Sequence, residues 1–499
     1  MSKSMIIVGA GMGGLSTGCY GQMNGYRTRI FEMHDKPGGL CTAWERKGYT
    51  IDGCLHWLVG SAPGAEMYRI WEDLGALQGQ RIINPERYFR FEGADGAAFH
   101  MFTNIDRLKD EMLRIAPEDA NVIKQTVRAI KNFTRMDMPV DKAPEMYCVL
   151  DVLKLVLKIA PVLGDFSRYS RMTIRELAQR FTNPLLRQAW GLAWLPDFSA
   201  LFILMTLAWM HKRQAGYIIG GSMKLSRAIE KRYLDLGGVV SYKSRVEGIL
   251  VEDNKAVGVK LADGSEQRAD YVISAADGHA TIFDMLEGKY ADEKIRGYYE
   301  KLPIFQPLIY IGLGVNRTFD DLPLVISGLI FELEKPVYIA GKEQKWLSAR
   351  IHSFDPSLAP ASKTLVTLSI ESTYDYWAKL REDMGKYREE KDRIAATVIA
   401  QLERRFVGFK SQVEMVDVAT PVTFKRYTGN WQGSYEGWQM TPDIVTLTMG
   451  KTLSGLDNFY MCGQWVIPGG GLPSGAMSGR YVVQMMCKRD GIKFKAAKP

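Results

Sequence analysis

Ile6-Ile7-Val8-Gly9-Ala10-Gly11-Met12-Gly13-Gly14-Leu15 opens the chain as an apolar run broken by a glycine-spaced turn. Met5 to Val8 read as a short buried strand, and a helix is predicted from about Leu15 to Asn24. Gly9, Gly11 and Gly14 fit G-x-G-x-x-G. In that pattern the first glycine makes the tight turn, the second lets a pyrophosphate approach the backbone, and the third lets helix and strand pack closely. The free N–H groups and positive dipole at the helix start then face the phosphates. Gly25 is placed to end the helix, and a second strand, Thr28 to Phe31, delivers Glu32. An acid about 20 residues after the first glycine accepts hydrogen bonds from ribose hydroxyls and repels a 2′-phosphate. The opening therefore predicts a dinucleotide site for FAD or NAD rather than NADP.

After Glu32 come Gly38-Gly39-Leu40 and then Tyr49-Thr50-Ile51-Asp52-Gly53-Cys54-Leu55-His56-Trp57. The order of G-x-G-x-x-G, acid, glycine pair and D-x-G-x-H resembles the start of the flavin amine oxidase and phytoene desaturase superfamily. That resemblance implies FAD, with the glycine pair passing close to the ribityl chain. An arginine often follows the pair in that superfamily; here Leu40 takes its place.

The far end of the chain carries a second glycine loop. Leu456 to Gln464 reads as a strand entering a turn, and Pro468-Gly469-Gly470-Gly471-Leu472-Pro473-Ser474-Gly475-Ala476 leads into the last helix. A helix starting near Gly475 would aim its N–H groups at the flavin edge that becomes negative on reduction. With the opening motifs, this segment resembles the phytoene desaturase, carotenoid isomerase and retinol saturase family, Gln464 lying nearer the saturase branch. The resemblance implies an α/β fold: a discontinuous, glutathione-reductase-type Rossmann-like FAD-binding domain with an interleaved α+β substrate domain. It implies cofactor contacts from Gly9, Gly11, Met12, Gly13, Gly14, Glu32, Gly38, Gly39, Leu40, His56, Val246, Gly463, Gln464, Gly471, Leu472, Gly475 and Ala476. The activity it implies is FAD-dependent desaturation, saturation or isomerisation at carbon–carbon double bonds of a hydrophobic polyene or isoprenoid. Two rivals share the nucleotide motifs: a flavin oxidase of an amine or porphyrinogen, and a flavin-free protein that escorts a prenylated partner.

Between the two ends, the character alternates. The FAD-binding domain is expected over 1–94, 215–295 and 435–499, and the substrate domain over 95–214 and 296–434. Residues from about 95 to 214 are helical in pattern; Val239–Ser241, Val246–Glu252, Val257–Leu261 and Tyr271–Ala276 read as strands. From about 300 to 430, strands at 308–315, 365–371 and 412–418 mix with a charged helix near Met384 to Phe406. Ile311-Gly312-Leu313-Gly314 lacks a third glycine and a following helix, so no second nucleotide unit is expected for NAD(P)H.

The chain has 499 residues, enough for two cores, with 64 basic and 56 acidic residues giving a net charge of +8. No basic stripe interleaved with aromatics points to nucleic acid. Six cysteines without C-x-x-C spacing or histidine partners argue against zinc or a disulfide framework. The first strand begins at the start of the chain with no leader before it, which favours a cytoplasmic protein, peripheral on the inner face of a membrane if it meets lipid at all. Ser199 to Met210, the longest apolar run, is too short to span a bilayer.

One helix invites a lipid reading. In Cys148 to Ile159 the polar residues Asp151, Lys154 and Lys158 form one narrow stripe on an apolar cylinder. Such a helix is either buried in the substrate domain, the reading favoured here, or seated in a lipid interface with its lysines snorkelling. The basic tail (Lys488, Arg489, Lys493, Lys495, Lys498) reads as solvated, with anionic headgroups the alternative contact. The loop Arg426 to Trp438 spaces aromatics with glycines and suits either a channel lining or a packed surface turn. The residues name no certain acid or base; His56, Tyr435 and Glu436 are the candidates. The electron donor or acceptor stays unidentified.

Overall fold

The computed structural model describes residues 2–499. Ser4–Val8 is the middle strand of a five-stranded parallel sheet. The order is Val239–Ser241, Arg27–Phe31, Ser4–Val8, Tyr271–Ser274 and Phe459–Met461. A central parallel strand is covered on both faces, which is why Met5 to Val8 are continuously apolar and all buried. Helix Met12–Met23 makes the return to Arg27–Phe31. Early, middle and final parts of the chain thus meet in one Rossmann-like sheet, with the two glycine loops at its ends. A three-stranded antiparallel sheet (Val246–Glu252, Lys255–Leu261, Glu266–Arg268) is inserted before Tyr271–Ser274. Its first hairpin turns on Asp253 and Asn254, both with positive φ, as a tight two-residue turn demands.

The other large sheet has seven strands in the order Val413–Ala419, Leu308–Val315, Thr364–Glu371, Lys342–Ile351, Gly328–Ile339, Arg87–Glu92 and Ala98–Phe102. All neighbours are antiparallel except Gly328–Ile339 with Arg87–Glu92. Helix Met384–Arg405 covers one face, burying Ile394, Val398 and Leu402 at i, i+4 and i+8. The other face looks toward the nucleotide loops. Strand Arg87–Glu92 pairs its backbone in parallel with Gly328–Phe331 of this second sheet.

Helix Ala200–His211 is apolar all round and almost wholly buried. Val149–Ile159 is the opposite case and corrects the expectation of burial. Not one of its residues is buried, and Val149, Leu150 and Leu157 are 84%, 65% and 64% exposed. Two of its three polar residues are tied to the protein, Asp151 to Lys142 (2.5 Å) and Lys158 to Glu66, while Lys154 is exposed. Among the described residues no helix is long and apolar enough to cross a membrane. The basic tail lies back along the body, with Lys498 paired to Glu72 at 2.7 Å and the Lys495 N–H donating to Asn24 at 2.7 Å.

Candidate active site

The opening turn is built from backbone. Gly9 has φ +94°, which a residue with a side chain rarely adopts. Helix Met12–Met23 starts from Gly11 with no side-chain cap, so its first N–H groups are left free. A side-chain carbon on Gly11 would meet nothing nearer than the Gly38 carbonyl at 4.0 Å, leaving the floor of the turn open. Gly38 and Gly39 run back across it with φ of +112° and +60°, tied by Gly38 N–H to the Ala10 carbonyl at 2.9 Å. Glu32 closes one side: its carboxylate accepts from the Ala10 N–H at 2.7 Å and the His34 N–H at 2.8 Å.

The closing loop arrives from the other side. Helix Gly471–Arg489 begins four residues earlier than Gly475 and also has no side-chain cap. A side-chain carbon on Gly13 would stand 3.1 Å from Gly463 N, and one on Gly475 would stand 3.0 Å from Met12 Cβ. These small residues let two uncapped helix N-termini converge on one space. Gly463 is fixed there by its N–H to Ser478 Oγ, 2.7 Å.

That space is a cavity of about 1170 Å³. Every residue the sequence proposed for cofactor contact lines it except Gly14 and Ala476. Gly14 packs against Gly9 instead. Ala476 is fully buried against the first helix, its carbonyl accepting from Ser16 Oγ at 2.7 Å. Gln464 turns its amide to Asn430 Oδ1 at 3.0 Å.

An open glycine floor, two free helix N-termini and an acid at the end of the second strand fit a dinucleotide with its pyrophosphate at the helix ends. Gly9, Gly11, Met12, Gly13, Glu32, Gly38, Gly39, Gly463 and Gly471 to Gly475 line that space.

Beyond the loops the cavity turns apolar. Trp57 stands edge-on to Tyr88 at 5.4 Å and to Trp194 at 5.6 Å, and Phe202, Met205 and Trp209 present one face of the buried helix to the same space. The aromatic loop divides. Tyr427 and Tyr435 line the cavity, whereas Trp431 stacks on His279 at 5.0 Å and Trp438 is buried against Trp465.

Three titratable groups at the wall are displaced from their usual ranges. Burial pushes Glu436 up to about 8, so it keeps its proton at neutral pH. Its Oε1 lies 3.8 Å from where a side-chain carbon on Gly471 would sit, beside the first turn of the last helix. Burial raises Asp277 to about 7, opposed by hydrogen bonds from the Ala280 and Trp431 N–H groups at 2.8 and 2.9 Å. Burial, then the Arg350 charge, hold His56 neutral, well below the ordinary histidine range.

Asp277 and Arg350 escaped sequence reasoning. Asp277 follows a strand end at Ser274, the one signal that would have found it. Arg350, on a strand, looked like any surface arginine.

Comparison with known proteins fits this geometry. The chain belongs to the flavin containing amine oxidoreductase family, whose model matches residues 12–487. It is an FAD-dependent oxidoreductase. It is 24% identical to the chloroplastic prolycopene isomerase of Daucus carota, over 98% of this chain and 81% of that one. It is also 24% identical to the neurosporene-forming phytoene desaturase of Rhodobacter capsulatus, over 96% of this chain and 93% of that one. Among solved structures, an oxidoreductase from Methanosarcina mazei shares the fold with a TM-score of 0.60 at 16% identity, covering 96% of this chain and 100% of that one.

Proposed function

We propose that this flavoenzyme desaturates, saturates or isomerises carbon–carbon double bonds of an apolar polyene or isoprenoid. The observation that carries the reading is the single cavity of about 1170 Å³ running from the glycine cradle into a wall of Trp57, Trp194, Phe202 and Met205. The names of the two curated relatives, a prolycopene isomerase and a phytoene desaturase, support it.

Bound FAD supplies the acceptor or donor of hydride. The chain's own residues do the rest. The aromatic and methionine wall binds and orients an extended apolar chain and excludes water. Glu436 holds a proton at its carboxyl at the cavity wall, and in the saturating direction it would supply that proton to a bound polyene. The cofactor contacts named above and the division into a nucleotide part and a substrate part belong to the same reading, with the hairpin from Arg87 assigned to the substrate part.

The test is the visible spectrum of the purified protein, reduced without oxygen, before and after adding a conjugated polyene alcohol such as retinol. Return of the oxidised flavin bands supports transfer to a double bond. Bands that stay bleached exclude saturation of that alcohol, and a colourless protein overturns the reading in favour of a flavin-free escort.

The exposed helix Val149–Ile159 belongs to this picture as a lipid contact. Its exposed surface is mostly apolar, Asp151 and Lys158 are tied back to the body, and the exposed Lys154 can snorkel, the arrangement of a helix lying in a membrane interface. A substrate dissolved in lipid then enters from the surface the protein rests on.

A further inference from the structure

Arg350 is a buried cation without an anion. It sits on strand Lys342–Ile351, is 3% exposed, and lines the cavity. Its Nε donates to the Ile326 carbonyl at 2.7 Å and its Nη1 to the Leu55 carbonyl at 2.9 Å. Nη2 is buried and meets no acceptor.

No carboxylate among the described residues is ion-paired with it. The two buried acids of this region are engaged elsewhere. Asp52 accepts from the Cys54, Leu55 and Ser222 N–H groups at 3.0, 3.1 and 2.7 Å. Asp355 accepts from the Tyr217 hydroxyl and the Gly220 N–H, both at 2.8 Å. The ring faces of Phe354 and Tyr217, 5.3 and 5.5 Å from the guanidinium carbon, give partial compensation only.

A guanidinium cannot shed its proton to escape burial. Removing such a charge from water is costly unless an opposite charge meets it. A second orphan lies close by in the chain. Ser327 Oγ, on the residue after the carbonyl that accepts from Arg350, is also buried and lines the same cavity; it faces the Tyr88 hydroxyl but makes no hydrogen bond of full geometry. One unused cationic donor and one unused hydroxyl at the same wall call for the same kind of group: an anionic oxygen arriving with the ligand.

We propose that the substrate of this cavity is an apolar polyene or isoprenoid acid, and that Arg350 and Ser327 receive its carboxylate. This rests on the reading of the cavity as a polyene site and narrows it. An unfunctionalised hydrocarbon would leave both groups unpaired, whereas a carboxylate satisfies them and fixes which double bonds lie near the glycine cradle.

The test is binding to the oxidised holoprotein, followed by quenching of the tryptophan fluorescence to which Trp57 and Trp194 contribute. Three ligands of one skeleton are compared: retinoic acid, retinol, and the corresponding hydrocarbon with a methyl terminus. The acid is expected to bind about 10–100-fold more tightly than the alcohol, the range of a charge-assisted hydrogen-bonded pair. R350Q should remove that preference by weakening the acid alone, and R350K should restore part of it. S327A, a milder change that spares the fold if R350Q does not, should weaken the acid about 3–10-fold and leave the alcohol alone. Equal binding of acid and alcohol to the natural protein, or equal weakening of both in R350Q and S327A, would overturn the proposal while leaving the polyene site standing. Failure of all three ligands to bind a flavin-loaded protein overturns both.

Discussion

Gly13 and Gly479 meet backbone to backbone: a side-chain carbon on Gly479 would stand 2.6 Å from the Gly13 carbonyl oxygen and 2.8 Å from Thr17 N. With Gly475 one turn earlier, this contact lets the first and last helices of the chain cross with almost nothing between them. Both helix N-termini reach the cavity because of it. Gly479→Leu forces the helices apart, a backbone clash that no rotamer relieves, at a cost of several kcal/mol. The expected outcome is low soluble yield and a flavin-to-protein ratio well below that of the natural protein, read from absorbance after gel filtration. A flavin-replete, stable Gly479→Leu protein would sink this account of the cradle.

Glu32 provides a milder probe of the same cradle. Both its oxygens accept backbone N–H groups, so Glu32→Gln must turn an amide NH₂ toward either Ala10 or His34. The ribose also loses its charged acceptor. FAD affinity should fall about 10–100-fold, measured by reconstituting the apoprotein with a titrated cofactor. An unchanged affinity would separate Glu32 from the ribose.

How much of this was legible beforehand varied with the kind of signal. Glycines at fixed offsets are local and unambiguous, so Gly9, Gly11, Gly38, Gly39, Gly463 and Gly471 could be read straight from the chain. The strands Gly328–Ile339 and Lys342–Ile351 could not. Their hairpin ends are exposed and charged, and a register shift between Glu332 and Val337 breaks the alternation. The helix Val149–Ile159 was legible as a helix but not in its placement, because an apolar face reads the same whether protein or lipid covers it. Arg350 was illegible for a third reason. Burial of a lone cation is set by tertiary packing, and no spacing in the sequence marks it.

Glu436 makes a pH prediction whose sign is fixed. A free glutamate titrates near 4.3, and in the folded protein Glu436 titrates at about 8. The folded state therefore binds this proton more tightly than the unfolded state. Its contribution to stability is complete below the unfolded value and is lost as pH rises through about 8. Discounted for water in the cavity, the loss is about 2–4 kcal/mol. Thermal unfolding of the holoprotein should show Tm falling between pH 5 and pH 9, and Glu436→Gln should reduce that fall by about 2–6 °C. Asp277, raised to about 7, acts in the same direction, so part of the slope survives in the variant. If Glu436 also supplies the proton in turnover, Glu436→Gln lowers kcat far more than KM, by about 100-fold or more.

The exposed helix makes the last prediction. Val149, Leu150, Leu153 and Leu157 face outward, while Asp151 and Lys158 are held against the body by Lys142 and Glu66. Among the described residues Lys154 is the one exposed charge on this helix without an ion pair, and further polar residues in place of these leucines and valines would serve solubility better. Buried in a lipid interface, four such side chains contribute several kcal/mol, enough for reversible attachment. The protein should therefore float with liposomes in a density gradient. The double variant Leu150→Asp with Leu157→Asp should reduce that partition by at least about 10-fold. Because both positions are exposed, its Tm should stay within about 2 °C of the natural protein. Cys148 at the start of the helix is the one exposed cysteine among the described residues, so an environment-sensitive maleimide placed there reports the same event. Its emission should shift to the blue on addition of vesicles, and this shift should vanish in the double variant. Emission unmoved by vesicles, with no flotation, would mean that this face is covered by protein rather than lipid.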